Sequence, residues 1–194
     1  KKYNIKQIKV GHSGTLDPLA SGLLIISTGK KTKQISELEN LKKQYVGVLK
    51  MGCITESFDA ETPEKNKKTY THISIQDIKQ IFVNFMGNQK QIPPIFSAIK
   101  IQGERLYKKA RRGDKNIKIK SRNVIIYELS VLDFDPPFVK FHVCCSKGTY
   151  IRSLVSDIGK KLECGAYLYH LVRTQIGTYK LKNALEIDSI ENAM

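Results

Sequence analysis

GHSGTLDPLASGLL, residues Gly11–Leu24, is the segment of the sequence that carries the most local information. Its glycines permit positive φ angles and allow the backbone to approach a ligand closely. Pro18 disfavours the helical conformation at the residue before it, so we expect Asp17 to be fixed in a non-helical conformation within a loop. A lone Asp-Pro pair is also typical of a plain turn, and the segment lacks the pattern of a phosphate-binding P-loop. The apolar run Leu23–Ile26 that follows predicts a buried strand.

Outside this segment the hydrophobic pattern changes between the strand period and the helix period. Alternation predicts strands at Tyr45–Met51, Asn123–Phe134, Val139–Cys145 and Leu171–Leu181. Helical spacing predicts one helix that starts with a Ser74–Asp77 capping box and ends before Gly87, and a second from Ile151 that stops before Gly165. Residues 61–71 and 91–97 contain prolines that predict irregular structure. The mixture predicts an α+β (mixed α/β) domain and not a parallel doubly wound one.

The net charge indicates the class of partner. The chain has 194 residues, which suits one domain, and its 33 Lys and Arg against 18 Asp and Glu give a formal charge of +15. Such an excess predicts a polyanionic partner. No apolar run approaches the roughly 18–20 residues that a membrane span requires. The basic start of the chain lacks the apolar segment of a signal peptide.

The positive charge is concentrated between Lys100 and Arg122. This stretch holds ten basic and two acidic residues, and Tyr107 lies within it. Basic residues interleaved with aromatic ones are typical of RNA-binding proteins, in which cations neutralise phosphates and rings stack on exposed bases. The alternative is a solvated lysine-rich surface with no partner.

The four cysteines do not indicate a metal site or a disulfide framework. Cys53, Cys144, Cys145 and Cys164 form no C-x-x-C pair, and no zinc-finger spacing is present. We therefore expect free thiols, as in a cytoplasmic protein.

The motifs resemble those of one enzyme family in the same order along the chain. The chain resembles the TruB-type pseudouridine synthases, the tRNA pseudouridine(55) synthases, over nearly its whole length. Beside Gly11–Leu24, the resemblance rests on five further blocks: YVG at 45–47 with MG at 51–52 and TESFD at 55–59; IPPIFSAIK at 92–100; Gly103 with LY at 106–107 and AR at 110–111; CSKGTYIR at 145–152; and HLVRT at 170–174.

The resemblance implies a role for each candidate site residue. Asp17 matches the family's catalytic aspartate, and Arg152 would pair with it and keep it ionised. Tyr45 would stack on the uracil ring near the carbon that exchanges a proton, Tyr150 would line the same pocket, and Leu171 would close its apolar side. His12 would enter the RNA stack where the target nucleotide is flipped out. The basic stretch lies where members of the family carry an RNA-binding insertion. Its candidate RNA-binding residues are Lys100, Lys108, Lys109, Arg111 and Arg112.

The resemblance also implies the fold, the reaction and the partners. The fold would be a pseudouridine-synthase catalytic domain with a largely antiparallel mixed sheet, flanked by helices and carrying the RNA-binding insertion. The reaction would be isomerisation of uridine to pseudouridine in the T-loop of tRNA, a tRNA-processing step, with no cofactor and no metal. The partner would be the T-stem-loop, with no membrane involved, and we expect a cytoplasmic monomer. Whether Asp17 attacks ring carbon C6 or sugar carbon C1′ stays open.

Two expectations concern how the chain compares with the family pattern. Residues 1–194 would form the catalytic domain without its N-terminal start, and the C-terminal PUA domain of bacterial members would be absent from this chain. The alternative function is an RNA-binding or tRNA-folding module whose isomerase activity is dispensable or lost. An intact set of Asp17, Tyr45 and Arg152 favours the enzyme, and no helix-turn-helix pattern supports a DNA-binding protein.

Overall fold

The computed structural model describes residues 8–114, 117, 119–187 and 189. Within these residues the strands are β1 (Val10–His12), β2 (Ala20–Gly22), β3 (Ile26–Thr28), β4 (Lys43–Met51), β5 (Gly87–Gln91), β6 (Lys100–Ile101), β7 (Glu104–Arg105), β8 (Arg122–Asp135), β9 (Phe138–Cys145), β10 (Ala166–Ile176) and β11 (Tyr179–Lys180). The helices are α1 (Ile35–Asn40), α2 (Ile75–Asn84), α3 (Leu106–Arg111) and α4 (Ile151–Lys161), with 3-10 turns at Gly29–Gln34 and Leu181–Asn183.

A largely antiparallel sheet forms the frame of the domain. Its strand order is β11-β10-β4-β9-β8-β5, and β2 lies beside β10 as the parallel partner that makes the sheet mixed. Two short antiparallel pairs, β1 with β3 and β6 with β7, lie outside this sheet. The α+β class that the sequence predicts is therefore confirmed.

The core lies between one face of the sheet and the helices α2 and α4. Alternate residues of β4 are buried, from Lys43 through Leu49 to Met51. Leu49 and Met51 belong to a cluster with Ile78 and Phe82 of α2 and with the apolar residues of α4. Burial of these side chains is the main stabilising contribution of the fold. At the other end of β4 the same face carries polar and aromatic side chains, and there it opens into a cleft.

Three of the predicted strands are confirmed with small shifts of their ends. The strand predicted at Tyr45–Met51 begins two residues earlier, and the long strands around residues 123–134 and 139–145 form the hairpin of β8 and β9. The capping box at α2 is also present. Ser74 accepts from the Asp77 backbone N–H, and the Asp77 carboxylate accepts from the Ser74 N–H at 2.8 Å.

Helix α4 is buried on nearly all sides, although its sequence predicts an amphipathic helix. Ser153, Ser156 and Arg152 are buried together with its apolar residues. Close contact with β10 is permitted by Gly159, where a Cβ atom would come within 2.1 Å of the Ala166 nitrogen. This contact packs the C-terminal part of α4 closely against the beginning of β10, whereas Arg152 lies at the start of the helix.

Two predicted strands are wrong in whole or in part. Leu23–Ile26 is not a buried strand: residues 23–25 connect β2 to β3 and Ile26 begins β3, with Leu23 buried but Leu24 and Ile26 exposed. The strand predicted at Leu171–Leu181 begins five residues earlier, ends at Ile176 and turns at Gly177 before the short β11. Gly177 has φ +54°, a left-handed conformation that favours glycine and terminates the strand.

Candidate active site

A cleft of about 1050 Å³ opens at the end of the sheet where β4, β10 and the start of α4 meet. Its wall combines the Gly14–Asp17 loop, the segment Ser97–Ile101 and the segment Ser146–Ile151. The charged side chains of its lining are mainly basic, namely Lys43, Lys100, Lys120, Arg122, Lys147 and Arg173, against the acids Asp17 and Glu39. A cleft of this charge suits a polyanion.

Asp17 and Arg152 form a bidentate ion pair between distant parts of the sequence. Arg152 Nε donates to Asp17 Oδ2 at 2.8 Å, and Arg152 Nη2 donates to Asp17 Oδ1 at 2.7 Å. This parallel pair of charge-assisted bonds fixes the plane of the carboxylate as well as its position. The structure brings together the two side chains that the resemblance implied as a pair, although 135 residues separate them in the sequence.

The guanidinium of Arg152 is held by more than Asp17. Arg152 is 3% exposed, and it also donates to the Ser57 and Phe96 carbonyl oxygens, each at 3.0 Å. A second carboxylate, that of the buried Asp59, lies 3.4 Å from Arg152 Nη1. Arg152 is therefore a buried centre of an aspartate–arginine–aspartate arrangement, and not the surface charge that its place at a helix start would ordinarily indicate.

Asp59 is itself fixed by short bonds from its own loop. Ser57 Oγ donates to Asp59 Oδ1 at 2.6 Å, and the Glu61 backbone N–H donates to the same oxygen at 2.9 Å. Because Asp59 is 4% exposed and cannot move freely, it fixes the guanidinium from the side opposite Asp17.

The environment of Asp17 raises the pKa of its carboxyl group above the ordinary value of 3.8. Burial is the largest cause, and the nearby Asp59 and Glu61 charges add to it, whereas Arg152 opposes it through attraction and hydrogen bonding. A partly desolvated and positioned carboxylate is a better nucleophile than one in water. The side chain remains 38% exposed towards the cleft, so a ligand can reach it.

The loop that carries Asp17 is attached to β10 at both ends. Arg173 Nε donates to the Leu23 carbonyl at 2.7 Å, and Arg173 Nη2 donates to the Gly14 carbonyl at 3.0 Å. Gly22 lies so close to β10 that a Cβ atom there would come within 2.4 Å of the Arg173 carbonyl oxygen, and its φ is +102°. These contacts hold Asp17 in the fixed, non-helical conformation that the Asp-Pro pair predicts.

Tyr45 lies on the floor of the cleft. It is directly opposite Arg173 in the antiparallel pair of β4 and β10 and is 9% exposed. Burial raises the pKa of Tyr45 to about 12, although Arg173 acts in the other direction. The hydroxyl group therefore keeps its proton at neutral pH, and the ring offers a flat apolar surface beside Asp17.

Tyr150 is placed by backbone contacts immediately before α4. The Gln91 side-chain amide binds both polar backbone groups of Tyr150, since Gln91 Oε1 accepts from its N–H at 2.8 Å and Gln91 Nε2 donates to its carbonyl at 3.0 Å. The Arg122 guanidinium lies over the Tyr150 ring, 5.1 Å from its centroid. Tyr150 thus lines the cleft in a fixed position, as predicted.

The other predicted site residues lie at different distances from the cleft. Leu171 is buried in the cleft wall beside Tyr45. His12 is exposed at the end of β1 and is not part of the cleft lining. Lys100 lines the cleft, whereas Lys108, Lys109, Arg111 and Arg112 lie on α3 or directly after it.

The charges on and after α3 are partly compensated within the protein. Arg112 donates to both Glu104 carboxylate oxygens, at 2.8 and 2.9 Å, and to Asp114 at 3.1 Å. Arg111 lies 3.4 Å from Glu61. Both arginine side chains remain more than half exposed, so an RNA phosphate can replace or extend these pairs. Lys115 and Lys118 of the same stretch lie outside the described residues.

Three residues that orient Arg152, Tyr150 or the Asp17 loop were not predicted from the sequence: Asp59, Gln91 and Arg173. Each is a buried polar residue whose partner is distant in the chain. A signal for two of them was present, since Asp59 and Arg173 lie in the family-like blocks at 55–59 and 170–174. Burial of an ionisable side chain is informative because an unpaired buried charge is costly.

Comparison with known proteins matches the whole chain to two family models. Residues 1–151 match the model described as "TruB family pseudouridylate synthase (N terminal domain)", and residues 152–194 match "tRNA pseudouridylate synthase B C-terminal domain". A tRNA pseudouridine synthase B of Parabacteroides distasonis is 44% identical over 99% of this chain and 81% of its own length. One of Flavobacterium johnsoniae is 47% identical over 97% of this chain and 82% of its own length.

Solved structures show a similar fold. A chain of a Cbf5-Nop10-Gar1 complex superposes with a TM-score of 0.66 at 28% identity over 89% of this chain. A chain of an H/ACA ribonucleoprotein bound to a substrate RNA containing 2′-deoxyuridine superposes with a TM-score of 0.62 at 27% identity. This chain spans about 40% of the length of either.

The matched models and the curated relatives define the class of enzyme: the molecule is a pseudouridine synthase, an isomerase of uridine in RNA. Within that class the chain belongs to the TruB family. Within the part of the chain that the structure describes, no helix is long and apolar enough to cross a membrane.

Proposed function

We propose that this protein isomerises one uridine in the T-loop of tRNA to pseudouridine, with Asp17 as the nucleophile. The observation that carries the proposal is the Asp17–Arg152 pair, a carboxylate fixed by two short hydrogen bonds at the base of a basic cleft. The curated relatives are named as tRNA pseudouridine synthases, which supports tRNA as the substrate.

The residues of the site are divided between the segments that match the two family models. Asp17, Tyr45 and Tyr150 fall in the segment 1–151, whereas Arg152 and Leu171 fall in the segment 152–194. Neither segment therefore contains the complete cleft. We propose that residues 1–194 act as one catalytic unit, because side chains of both segments pack in the same core cluster.

The reaction exchanges one bond of the sugar for another without a change in composition. The bond from C1′ to N1 breaks, the base rotates, a bond from C1′ to C5 forms, the C5 proton leaves and N1 gains a proton. A fixed carboxylate can assist this exchange by attack at C1′ or by addition at C6, and both require an ionised Asp17. Arg152 keeps the carboxylate oriented throughout, and it stabilises the ionised form.

The surrounding side chains suit a flipped-out uracil. Tyr45 and Tyr150 present aromatic rings to the cleft, and Leu171 supplies an apolar wall. Stacking of this kind compensates the uracil for the stacking that it loses when it leaves the RNA. His12, which is exposed near the loop that carries Asp17, would fill the gap left in the RNA.

The direct test is isomerisation of an unmodified tRNA by the purified protein. Uridine labelled with tritium at C5 releases its label when C5 becomes the glycosidic carbon, and primer extension after carbodiimide labelling locates the product. We expect one pseudouridine in the T-loop and no release from a tRNA in which that uridine is replaced by cytidine. Release from the control tRNA, or no release from either RNA, would contradict the proposal.

The pH dependence of the reaction should reflect the raised pKa of Asp17. Since only the ionised carboxylate is a nucleophile, the rate should increase with pH as Asp17 loses its proton. That increase should be centred above 3.8, the ordinary value for an aspartate, because burial raises the pKa of this group. The measurement is the single-turnover rate at saturating RNA as a function of pH, with RNA affinity measured in parallel. A rate that stays constant down to the ordinary aspartate value would contradict this assignment.

The charges on and after α3 should contribute to affinity more than to chemistry. Replacement of Lys108, Lys109, Arg111 and Arg112 by glutamine should weaken tRNA binding and flatten its salt dependence. Each lost phosphate contact removes roughly 0.7–0.9 of a log–log slope unit, so four contacts amount to about three units. The single-turnover rate at saturating RNA should fall far less than the affinity, because these four residues lie outside the cleft lining.

A matched variant separates location from total charge. Lys79, Lys140, Lys161 and Lys180 are exposed and lie on other elements, so their replacement by glutamine removes the same charge elsewhere. We expect this control to change the salt slope much less. If the α3 variant keeps the affinity and slope of the unmodified protein, the stretch is a solvated surface and other residues bind the RNA.

A further inference from the structure

Two basic side chains are buried in the wall of the cleft. Arg173 is 2% exposed and Lys43 is 7% exposed, and both line the cleft beside Tyr45. Across the described ranges 8–114, 117, 119–187 and 189, no carboxylate oxygen lies within 4.0 Å of either side chain. Arg152, the third buried cation of the site, has two such partners.

Backbone carbonyl groups hold both cations in place. Lys43 Nζ donates to the Glu39 carbonyl and, at 2.8 Å, to the Leu41 carbonyl. Arg173 donates to the carbonyls of Leu23 and Gly14. These neutral acceptors orient the two groups but do not cancel their formal charges, and both side chains keep further N–H donors beyond these bonds.

The sheet brings the two cations to the same face. Lys43 and Tyr45 are two residues apart on β4, so their side chains point to one side of the sheet, and Arg173 is opposite Tyr45 on β10. Burial and the charge of Arg173 lower the pKa of Lys43, and Lys147 acts in the same direction. Cys145 and the exposed Glu39 act in the opposite direction, each with an effect smaller than that of Arg173.

Two like charges that are buried together are unfavourable in the free protein. Desolvation of each ion is unfavourable unless a partner of opposite charge is supplied. The substrate proposed above is a polyanion with one negative charge at each phosphodiester, whereas an uncharged uracil has none in its ground state. A backbone phosphate would therefore gain more electrostatic stabilisation from this pair of cations than any other part of the RNA would.

We propose that Lys43 and Arg173 form a subsite for one backbone phosphate of the RNA, the phosphodiester that flanks the nucleotide entering the cleft. This subsite rests on the proposed function for the identity of its ligand. Lys147, Lys120 and Arg122 continue the positive wall of the cleft from it, so the RNA backbone is bound along a path and not at an isolated point. Engagement of the subsite would place the adjacent sugar beside Asp17.

The test removes one charge from each partner in turn. Stem-loop RNAs are prepared in which the phosphodiester on either side of the target uridine is replaced by an uncharged methylphosphonate. We expect the unmodified protein to lose about tenfold in affinity for one of these two RNAs. Lys43→Gln should bind the unmodified RNA about tenfold more weakly, with a salt slope smaller by roughly 0.7–0.9. It should lose less than about threefold further with the methylphosphonate RNA, because the partner of that phosphate is already absent.

Two further variants and a folding measurement complete the test. Lys42→Gln removes the same charge at the residue directly before Lys43. Lys42 is exposed, and its Nζ lies 3.9 Å from the centroid of the Tyr127 ring. It should keep the tenfold discrimination between the RNAs. Arg173→Lys preserves the charge and should also keep it, and thermal unfolding reports whether each variant is folded.

Two results would overturn the subsite. The first is equal discrimination of the methylphosphonate RNAs by Lys43→Gln and the unmodified protein. The second is a lower single-turnover rate in Lys43→Gln with affinity and salt slope unchanged, which would assign the charge to the uracil ring. Affinity is measured without turnover, so a protein that binds as expected but forms no pseudouridine would count against the proposed function and not against the subsite.

Discussion

Asp17→Asn should form no detectable pseudouridine while it still binds tRNA. The amide has nearly the same shape as the carboxylate but lacks the negative charge and the nucleophilic oxygen, so a loss of at least about 10⁴-fold in single-turnover rate is expected. Affinity should remain because the basic residues of the cleft and of the α3 region are unchanged. The measurement is the single-turnover rate at saturating RNA together with a binding curve for the same preparation.

The control for this variant is a second aspartate-to-asparagine change on the same domain. Asp157 lies on α4 and pairs with the exposed Lys160 at 2.7 Å, outside the cleft. Asp157→Asn should keep nearly the full rate. Substantial product from Asp17→Asn would show that another group performs the chemistry.

Arg152→Lys should be strongly impaired, and Arg152→Met should be impaired more. The guanidinium donates to both oxygens of Asp17 and to the carbonyls of Ser57 and Phe96. An ammonium group offers a point charge and cannot reproduce this planar set. Loss of one or two charge-assisted hydrogen bonds should lower the rate of Arg152→Lys about ten- to a thousandfold.

Removal of the charge has a further consequence for the fold. Arg152→Met leaves Asp17 and the buried Asp59 without their shared cation, which should destabilise the protein by about 3–5 kcal/mol at neutral pH. Thermal unfolding checks this loss, and Arg152→Lys keeps the test meaningful if the methionine variant does not fold. Full activity in Arg152→Lys would show that the reaction does not require the bidentate pairing with Asp17.

The sequence predicts well those elements whose pattern follows from local physics. The alternation in β4 and the Ser74–Asp77 capping box are present as expected, because a half-buried strand and a helix start each depend on a few adjacent residues. The run Leu23–Ile26 misleads for the opposite reason. An apolar run is consistent with a strand, but here hydrogen bonds to Arg173 and a short pairing of β3 with β1 decide its conformation, and two of its side chains remain exposed.

The features of the site also divide into those that the local sequence predicts and those that it does not. The fixed conformation of Asp17 could be predicted from the Asp-Pro pair and the surrounding glycines, since both act on neighbouring dihedral angles. Its pairing with Arg152 came from resemblance to a family, because no local rule connects residues so far apart. Asp59 and Arg173 were missed because their importance lies in burial, which only the packing of β10 and α4 on the sheet reveals.

We propose above that Asp17, held by Arg152, makes pseudouridine in the T-loop of tRNA. The most direct measurement is a map of pseudouridine in tRNA from cells that lack the gene for this protein, complemented with the unmodified gene or with Asp17→Asn. We predict that the T-loop pseudouridine disappears without the protein, returns with the unmodified gene and does not return with Asp17→Asn. If that pseudouridine persists in the deletion strain, or returns with Asp17→Asn, Asp17 of this protein is not the group that forms it.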